Sequence, residues 1–544
     1  MRVFLFCLTL FCATPAFAVD RPNVLWITVE DMSPTMGCYG DSYAKTPNLD
    51  ALAKESVLYE KAFATAPVCS PSRSCLINGV YAQSQGTHNM RSAFPIPKEF
   101  SGFPGLLRKA GYYTSNNVKT DYNSGNFQEI IDNSWDESKN GAFWRQRSEG
   151  KPFFSVINIM TTHQSRTMVW PYERFVKEIQ VQLKPEHINA PETVPLPAYY
   201  PDTPAVRRTV ARFYDCVRVM DQQVGRILGL LKADGLEENT IVFFYSDHGS
   251  GMPRHKRAIL DSGMRVPLLI RTPQRYRDAL RAQAPGSRVS RLVSFVDFAP
   301  TVLDICGISI PKFVQGRSFL GPNNSDERRY VYGHRDRVDE VYDMVRSVRD
   351  ARYLYVRNYM PHFSYHQASA WPDQGEIRAE FDSSHLSTAA QLQYAGERRP
   401  AEELYDCDAD PTNLKNLVDS REHRAVLERL RSALRSQTLK IRDLGFLPES
   451  TASAIAKEQT LWSYARSRES YPSREVLDTA ELVGRGTESA ILEKFTAKDP
   501  DVRYWAAVGL NARESISSRA ADVLLVLLRD STIAVRVEAA YALA

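Results

Sequence analysis

The first half of the chain alternates apolar runs with segments of helical periodicity, a pattern typical of an α/β domain with a mainly parallel sheet. The clearest runs, residues 24–29, 153–160 and 240–245, are nearly continuous apolar stretches, as expected of strands covered on both faces. Residues 112–118 form a weaker run, and residues 47–57 place apolar side chains at helical spacing. We therefore predict a central sheet covered by helices.

Polar residues follow each of these runs, where a parallel strand would end. In open α/β sheets, ligands bind outside the carboxyl ends of the strands, so we expect these side chains to line one edge. Carboxylates at two strand ends suit a divalent cation, and oxygen-rich ligation favours a hard ion such as calcium. Singly, each residue has an ordinary alternative as a helix cap or a surface side chain. The residues are Glu30, Asp31, Lys119, Asp121, His163, Asp247 and His248.

A cysteine and an arginine lie where another helix is expected to begin, in the sequence Cys69-Ser70-Pro71-Ser72-Arg73. Proline suits a first helical turn, and a helix N-terminus presents free N–H groups and partial positive charge to an anion. The segment is therefore suited to a nucleophile that handles an oxyanion, with Lys256 as a further cation near the same edge. The alternative is a buried cysteine in an ordinary turn.

Length, charge and the N-terminus narrow the class of protein. At 544 residues the chain is long for one core, and a formal net charge of +4 is too mild to indicate nucleic acid as a partner. Residues 1–18 carry Arg2, an apolar run and Ala16-Phe17-Ala18, which together are typical of a secretory signal. We therefore expect a periplasmic or secreted protein that is not an integral membrane protein.

Six cysteines remain once the predicted signal is removed. Their spacing matches neither a disulfide framework nor a zinc site. They are Cys38, Cys69, Cys75, Cys216, Cys306 and Cys407.

Taken in order, the motifs resemble those of the formylglycine-dependent sulfatases of the alkaline phosphatase superfamily. The resemblance extends from Arg21 to about Leu447 and is far more specific than the Cys-x-Pro-Ser-Arg string alone. It implies an alkaline-phosphatase-like sandwich with a smaller antiparallel C-terminal subdomain. The matching segments are residues 21–23, 38–40, 46–50, 69–79, 111–119, 246–249, 256–267, 403–406 and 410–411.

The resemblance implies a role for each candidate residue. Cys69 would be oxidised to formylglycine (3-oxoalanine) by a formylglycine-generating enzyme, its hydrate would supply the nucleophilic oxygen, and Arg73 would stabilise it. Calcium would be bound by the modified Cys69 and by acidic and histidine side chains, and three further cations would hold the sulfate and assist the leaving group. The metal residues are Glu30, Asp31, Asp247 and His248, and the three cations are Lys119, His163 and Lys256.

Three positions depart from the family pattern. Glu30 replaces the first of two aspartates, and His248 stands where asparagine commonly follows Asp247. Asp121 stands where many members have a histidine, so it is expected to contact substrate rather than act as the usual base.

Within the family, the chain is most similar to the heparan N-sulfatases, or sulfamidases, in residues 69–73, 86–91, 333–337 and 344–348. These segments would present a set of basic side chains to an anionic sugar. The alternative is that the arginines form surface ion pairs with Asp336, Asp339 and Glu340. The side chains are His88, Arg91, His334, Arg335 and Arg337.

The second half indicates further units. We predict an N-terminal α/β domain over 19–329, a C-terminal subdomain over 330–449, a helical linker over 450–485 and helical repeats over 486–544. Residues 499–507 are similar to 530–540, with Arg503 and Arg536 33 residues apart, as in HEAT repeats. An ordinary helical tail is the alternative, and because the helical pattern reaches Ala544 uncapped we expect the repeats to be incomplete.

These observations predict an exported sulfatase that acts on a sulfated oligo- or polysaccharide, with N-sulfoglucosamine of heparan or heparin as one substrate. Three alternatives stay open: an O-sulfatase for another polysaccharide, a phosphodiesterase or phosphonate hydrolase of the same superfamily, and an inactive sulfatase-like binding protein.

Overall fold

The computed structural model describes residues 21–324, 326–382, 386–468 and 471–544, so the predicted signal at 1–18 lies outside the described residues. The strands are β1 (Asn23–Val29), β2 (Val57–Phe63), β3 (Tyr113–Asn117), β4 (Glu137–Ser138), β5 (Phe153–Ile159), β6 (Thr240–Ser246), β7 (Arg265–Val266), β8 (Leu268–Arg271), β9 (Arg288–Ser294), β10 (Val331–Arg335), β11 (Val345–Arg349), β12 (Tyr353–Asn358) and β13 (Glu402–Asp406).

The helices are α1 (Pro47–Glu55), α2 (Cys69–Asn78), α3 (Ala82–Gln85), α4 (Phe103–Lys109), α5 (Phe127–Ser134), α6 (Tyr172–Glu178), α7 (Pro204–Ala233), α8 (Asp261–Met264), α9 (Gln274–Leu280), α10 (Phe298–Ile305), α11 (Ala389–Ala395), α12 (Arg424–Ile441), α13 (Glu449–Ile455), α14 (Leu461–Ser467), α15 (Arg474–Ala480), α16 (Glu488–Leu492), α17 (Pro500–Asn511), α18 (Ser518–Leu527) and α19 (Ile533–Leu543).

The large sheet has the strand order β4-β3-β5-β1-β6-β8-β2-β7, with β9 paired to β2. Neighbouring strands from β4 to β6 are parallel, whereas β8 is antiparallel to both β6 and β2. The predicted mainly parallel sheet is therefore confirmed. Val29, at the end of β1, pairs with Ile159 of β5 and with Ser246 of β6, so these three strands end side by side.

Helices cover both faces of this sheet. Leu25 and Ile27 of β1 belong to a hydrophobic cluster that includes much of α7, while Val24 and Trp26 belong to the cluster on the opposite face, with α4 and α10. Side chains alternate between faces along a strand, so an apolar run is needed where both faces are covered. This arrangement explains why β1 is apolar at nearly every position.

The second sheet consists of β10 to β13 in antiparallel order. Leu427, Leu430 and Leu434 of α12 pack on it against Val348 and Leu404. The predicted antiparallel subdomain with a packed helix is therefore confirmed.

The C-terminal helices carry a structural repeat in register with the two arginines. Nη1 of Arg503 donates to the carbonyl oxygens six and five residues before it, and Nη1 of Arg536 does the same. This register aligns Asp499, which caps α17, with Thr532 rather than with Asp530. Asp530 instead binds Arg503 through Nε at 2.7 Å, linking the two copies.

The domain boundaries and the HEAT assignment stay predictions. One hydrophobic cluster joins Met344 and Phe446 of the predicted subdomain to Val476 of α15 and to α17 and α19. The C-terminal helices therefore share a core with the segment that precedes them.

All six cysteines among the described residues are free, so no disulfide connects these segments. Within the same residues, no helix is both long and apolar enough to cross a bilayer.

Candidate active site

Three buried carboxylates meet where β1 and β6 end. Glu30 and Asp31 directly follow β1, Asp247 directly follows β6, and all three are fully buried. The backbone N–H of Asp31 donates to Oδ1 of Asp247 at 3.1 Å. Because β1 and β6 are parallel neighbours, the sequence positions after both strands fall on one edge, as predicted.

Asp31 is held in a left-handed backbone conformation with φ of 48°. The backbone N–H of Gln164 donates to its Oδ2 at 2.7 Å, and the N–H of Gly251 donates to its carbonyl oxygen at 3.2 Å. A Cβ on Gly251 would lie 2.9 Å from the same Oδ2 and 2.8 Å from Cα of Gln164. Only glycine therefore leaves room for this carboxylate.

Cys69 is the first residue of α2 and is 2% exposed. Its Sγ lies 3.2 Å from Nε2 of His248, 3.3 Å from Nζ of Lys256 and 3.6 Å from Oδ1 of Asp31. The position therefore combines a helix N-terminus with two nitrogen donors, an environment suited to an anionic oxygen.

Arg73 and Lys119 neutralise the carboxylates from one side. Nε of Arg73 donates to Oδ2 of Asp247 at 3.1 Å, and its Nη2 binds Glu30. Lys119 also binds Glu30 and lies 3.4 Å from Asp121, whose side chain is 40% exposed. Asp121 therefore lies at the open side of the group.

Lys256 and His163 complete the set of nitrogen-bearing side chains around the carboxylates. Nζ of Lys256 donates to both carboxylate oxygens of Asp31, at 2.7 and 2.9 Å. Nδ1 of His163 accepts the backbone N–H of Ser165 at 3.3 Å and lies 2.9 Å from its Oγ, so Nε2 faces Asp31 Oδ2 at 4.0 Å. A π-helical turn, Ser165–Val169, positions Ser165, and such turns are frequent at functional sites.

The cations decide the charge of two of the carboxyls. Burial alone would raise the pKa of Glu30 and of Asp31, but Arg73 and Lys119 lower the pKa of Glu30, and Lys256 lowers that of Asp31. Both are therefore ionised at neutral pH.

The two histidines differ in charge. Burial, reinforced by the positive charges of Lys256 and Lys119, lowers the pKa of His163 to about 3. Burial would also lower the pKa of His248, but the carboxylates of Asp247 and Asp31 raise it to about 10.

The donor atoms fit a divalent cation. Ligand atoms from Asp31, Cys69, Asp247 and His248 all lie within 4.8 Å of one another, and Glu30 belongs to an overlapping group. Nδ1 of His248 donates to the carbonyl oxygen of Gly249 at 2.8 Å, which leaves Nε2 for a metal once its proton is released.

The predicted substrate residues lie in two different environments. Arg91 is exposed over 78% of its side chain and lies 3.9 Å from Asp339. The other four are enclosed. His88 and His334 are buried, Arg335 is buried against Asp343 at 2.9 Å, and Arg337 binds Glu449 at 2.7 Å.

Three of these side chains are buried, and the fourth, Arg337, is 24% exposed. The ion pairs of Arg335 and Arg337 are formed with Asp343 and Glu449 rather than with the acidic residues named in the sequence alternative. A substrate-binding role for the whole set stays a prediction.

Sequence reasoning missed residues that hold the site in place. Nη1 of Arg73 donates to Oδ1 of Asn158 at 2.9 Å, and Gln164, Ser165 and Gly251 position Asp31 and His163. Asn158 is the one signal that was available, since an amide inside the otherwise apolar run of β5 requires a polar partner.

Comparison with known proteins gives two family matches. The sulfatase profile matches residues 22–308, and a profile for the C-terminal part of N-sulphoglucosamine sulphohydrolase matches residues 252–393. An ulvan-active sulfatase of Formosa agariphila is 36% identical over 479 residues, which cover 80% of this chain and 78% of the relative. Human N-sulphoglucosamine sulphohydrolase is 27% identical over 465 residues, covering 76% and 89%.

Solved structures share the fold. BT4656 in complex with its substrate D-glucosamine-2-N,6-O-disulfate gives a TM-score of 0.53 at 19% identity, covering 78% of this chain and 98% of that one. A phosphonate monoester hydrolase of Agrobacterium radiobacter gives 0.56 at 18% identity, covering 79% and 99%. Since proteins of both activities fit equally well, the likeness concerns architecture alone.

Proposed function

The chain belongs to the sulfatase family, and on that premise we propose that it is an exported enzyme that releases sulfate from a sulfated carbohydrate. The observation that carries this proposal is the placement of Cys69 at the start of α2, with Lys256 Nζ at 3.3 Å and His248 Nε2 at 3.2 Å, beside three buried carboxylates. An oxygen nucleophile at this position would face fixed cations and the helix N-terminus together.

We propose that Cys69 is converted to formylglycine by a separate formylglycine-generating enzyme, and that the hydrate supplies the attacking oxygen. Attack on sulfur builds negative charge on the sulfuryl oxygens. Lys119, His163 and Lys256 surround the position where those oxygens would lie, and Arg73 fixes Asp247 and Glu30 behind it. The protein thus offers charge stabilisation by fixed, largely buried groups.

The proposed metal is Ca²⁺, held by Asp31, Asp247, the modified Cys69 side chain, Glu30 and His248. When bound, such an ion would supply Lewis-acid stabilisation of an anionic oxygen. The nitrogen of His248 is an unusual donor for calcium, so metal analysis of purified protein should include Mg²⁺, Mn²⁺ and Zn²⁺. Stoichiometric Zn²⁺ instead of Ca²⁺ would overturn the choice of ion.

The relatives point to more than one substrate. One is an ulvan-active sulfatase and another an N-sulphoglucosamine sulphohydrolase. We propose a sulfated polysaccharide or its oligosaccharides as the substrate class, with N-sulfoglucosamine as one specific target. Glucosamine carrying N-sulfate, 6-O-sulfate or 3-O-sulfate, and sulfated ulvan oligosaccharides, would each be offered separately. Absence of release from the N-sulfated sugar would exclude the sulfamidase assignment and leave the sulfatase proposal intact.

The decisive experiment combines mass spectrometry of the Cys69 peptide with assays of released sulfate. We expect the mass of formylglycine in protein from its native host, and sulfate release that is lost in Cys69→Ala. A phosphodiester and a phosphonate monoester serve as competing substrates. Better turnover of either would favour the other hydrolases of the superfamily, and an unmodified thiol would favour a binding protein without catalysis.

Two residues can donate a proton to the leaving atom, Lys256 and His163. Their contributions separate when leaving groups differ in basicity, because an activated aryl sulfate needs little protonation whereas a sugar alcohol needs much. We expect the variant that lacks the acid to lose far more activity on the sugar than on the aryl sulfate. Lys256→Met and His163→Gln would be compared on both substrates, and equal losses on both in each variant would exclude an acid role.

A further inference from the structure

A cleft of about 550 Å³ lies away from the catalytic residues, beyond the carboxyl end of α2. Tyr81, three residues after α2 ends, is part of its lining. A ten-residue helix is about 15 Å long, so the length of α2 separates this cleft from Cys69 at the other end. The cleft is therefore distinct from the catalytic centre.

The charges in this cleft are all of one sign. Six of its lining side chains are cationic and, among the described residues that line it, none is acidic. We call it the basic cleft. The cationic side chains are Lys312, Arg317, Arg328, Arg329, Lys440 and Arg466.

Most of these cations have no carboxylate partner. Arg328 is neutralised by Asp297 beneath it. The side chains of Lys312, Arg317, Arg329 and Lys440 are exposed and form no ion pair with any described residue. Four exposed cations without a carboxylate partner around one cleft concentrate positive charge there.

Aromatic rings lie between the cations. Tyr330, Tyr332 and Trp462 line the cleft, and the guanidinium of Arg466 lies over the Trp462 ring. Rings beside unpaired cations offer a flat apolar surface next to anion-binding groups. This combination suits a ligand with both apolar faces and negative charges.

Tyr81 gives an independent indication of a ligand. Its side chain is 2% exposed, yet its hydroxyl has no hydrogen-bond partner among the described residues. A buried hydroxyl without a partner is destabilising, so native proteins normally satisfy it with a protein group, water or ligand. Because Tyr81 lines the basic cleft, a ligand bound there is the candidate partner for this hydroxyl.

We propose that the basic cleft is a non-catalytic binding site for an anionic polysaccharide. Sulfate or carboxylate groups bind the unpaired lysines and arginines, sugar faces pack on Trp462 and Tyr330, and a sugar oxygen bonds to Tyr81. This proposal deepens the proposed function, on which it rests, by making a polymer rather than a free monosaccharide the preferred substrate. Nucleic acid is disfavoured because the net charge of +4 is mild and the positive charge forms an enclosed cleft rather than an extended stripe.

Binding here would act on catalysis through local concentration. A polymer held at the cleft keeps its other sulfate groups near the catalytic centre, which raises their effective concentration there. Because the contacts are ionic and exposed, added salt would weaken them steeply.

The test uses the full chain with Lys312→Glu, Arg317→Glu and Lys440→Glu combined. The matched control reverses three exposed lysines that also lack ion pairs, Lys54, Lys184 and Lys232. Binding to immobilised heparin and to ulvan is measured in the Cys69→Ala background, so turnover does not interfere. We expect the Kd for the polymer to rise at least tenfold in the cleft variant, and by less than threefold in the control.

Activity gives a second measurement. The ratio of kcat/KM on the polymer to kcat/KM on a sulfated monosaccharide should fall by the same factor in the cleft variant. Equal affinity of the cleft variant and the parent chain for polymer, or an equal loss in the control, would overturn the proposal. If the parent chain bound single-stranded DNA as tightly as it binds the polymer, and the cleft variant lost that binding, the assignment to polysaccharide would also be overturned.

The same measurements separate this proposal from the catalytic one. Polymer binding that depends on the cleft, without sulfate release from any sugar, would refute the sulfatase function and leave the binding site standing.

Tyr81→Phe provides a finer probe. Because its hydroxyl has no protein partner, we expect the thermal midpoint to stay the same or rise, while the Kd for polymer rises two- to fivefold. An unaltered Kd would remove Tyr81 from the site.

Discussion

The catalytic centre and the basic cleft both concentrate positive charge, at opposite ends of the same helix, but they hold it differently. In the proposed catalytic centre Arg73 and Lys256 are buried and Lys119 is 16% exposed, and all three bind carboxylates, with Lys256 Nζ 2.7 Å from Asp31. In the basic cleft Lys312 and Lys440 are exposed and form no ion pair with the residues that the structure describes.

This difference follows from the cost of desolvation. A buried cation loses its hydration and is tolerated only beside a fixed counter-charge, so its position is rigid. An exposed cation keeps its hydration and its mobility, and it attracts polyanions over a distance set by the salt concentration. The first arrangement suits stabilisation of charge at a single reacting atom, and the second suits retention of a long, heterogeneous chain.

Replacing the proposed nucleophile should separate the two regions by the largest effect. We expect Cys69→Ala to reduce sulfate release by roughly 10⁴-fold or more, because loss of the nucleophile removes the covalent pathway. The Kd for sulfated polysaccharide should change by less than about twofold, since the cleft lies at the far end of α2. Both are read from purified protein by sulfate release and by surface plasmon resonance. A parallel loss of polymer binding would show that the two regions are one site.

Removing a buried cation should be far more costly than removing an exposed one. Arg73→Met leaves Asp247 without its arginine and Glu30 with Lys119 alone, and we expect it to lower the free energy of unfolding by about 3–5 kcal/mol. Lys440→Met in the cleft should alter it by no more than about 0.5 kcal/mol. Urea unfolding of the metal-free proteins measures both values. Similar values for the two variants would contradict the distinction between paired and unpaired cations.

Metal removal should also affect only the catalytic centre. Chelation is expected to abolish sulfate release, restored by Ca²⁺, and to remove about 2.7 kcal/mol of stability if the ion had been present at 100 times its Kd. Polymer binding at constant ionic strength should persist. Thermal unfolding with and without chelator gives the stability, and an unshifted midpoint together with full activity would refute the metal site.

Asp501 is a contrasting case, a partly buried carboxyl that forms no ion pair with any described residue. Burial and the neighbouring Asp499 raise its pKa to about 7. Between pH 4 and 7, approximately, the folded protein keeps a proton that the unfolded chain releases, so the free energy of unfolding falls as pH rises through that interval. The destabilisation is complete above this pH interval and absent below the pKa that Asp501 has in the unfolded chain.

We expect Asp501→Asn to raise the free energy of unfolding by roughly 1–2 kcal/mol at alkaline pH and to have little effect near pH 4. Asp419→Asn, at an exposed position, is the matched control and should leave the free energy of unfolding unchanged at both pH values. Urea unfolding across the pH range provides the measurement. A gain that is independent of pH would assign the effect to packing rather than to charge.

The catalytic centre was predictable from sequence to a large extent because it is built from strand ends. Glu30, Asp31 and Asp247 each follow an apolar run, and parallel pairing alone brings such positions to one edge. Gln164 and Gly251 were not predictable, since their roles depend on how close the loop backbone approaches Asp31. Asn158 was predictable in part, because the sequence shows an amide within the apolar run of β5 but does not show that Arg73 is its partner.

The basic cleft could not have been predicted in the same way. Its lining comes from Tyr81, residues 312–332, residues 437–441 and α14, which are distant in sequence and belong to no common pattern. Only the packing of α12 and α14 beside the first domain brings them together. The same holds for the shared core of the C-terminal helices, where the periodicity was visible but the register of the repeat was not.

Because the described residues form no disulfide, conversion of Cys69 can be followed by counting free thiols. With the predicted signal removed, a chain with unmodified Cys69 carries six thiols, all free. Conversion of Cys69 replaces one thiol with an aldehyde, so each unfolded chain would consume one equivalent less of a thiol reagent and one equivalent of a hydrazide. With the proposed conversion of Cys69, this titration would give the active fraction of a preparation before any substrate is known.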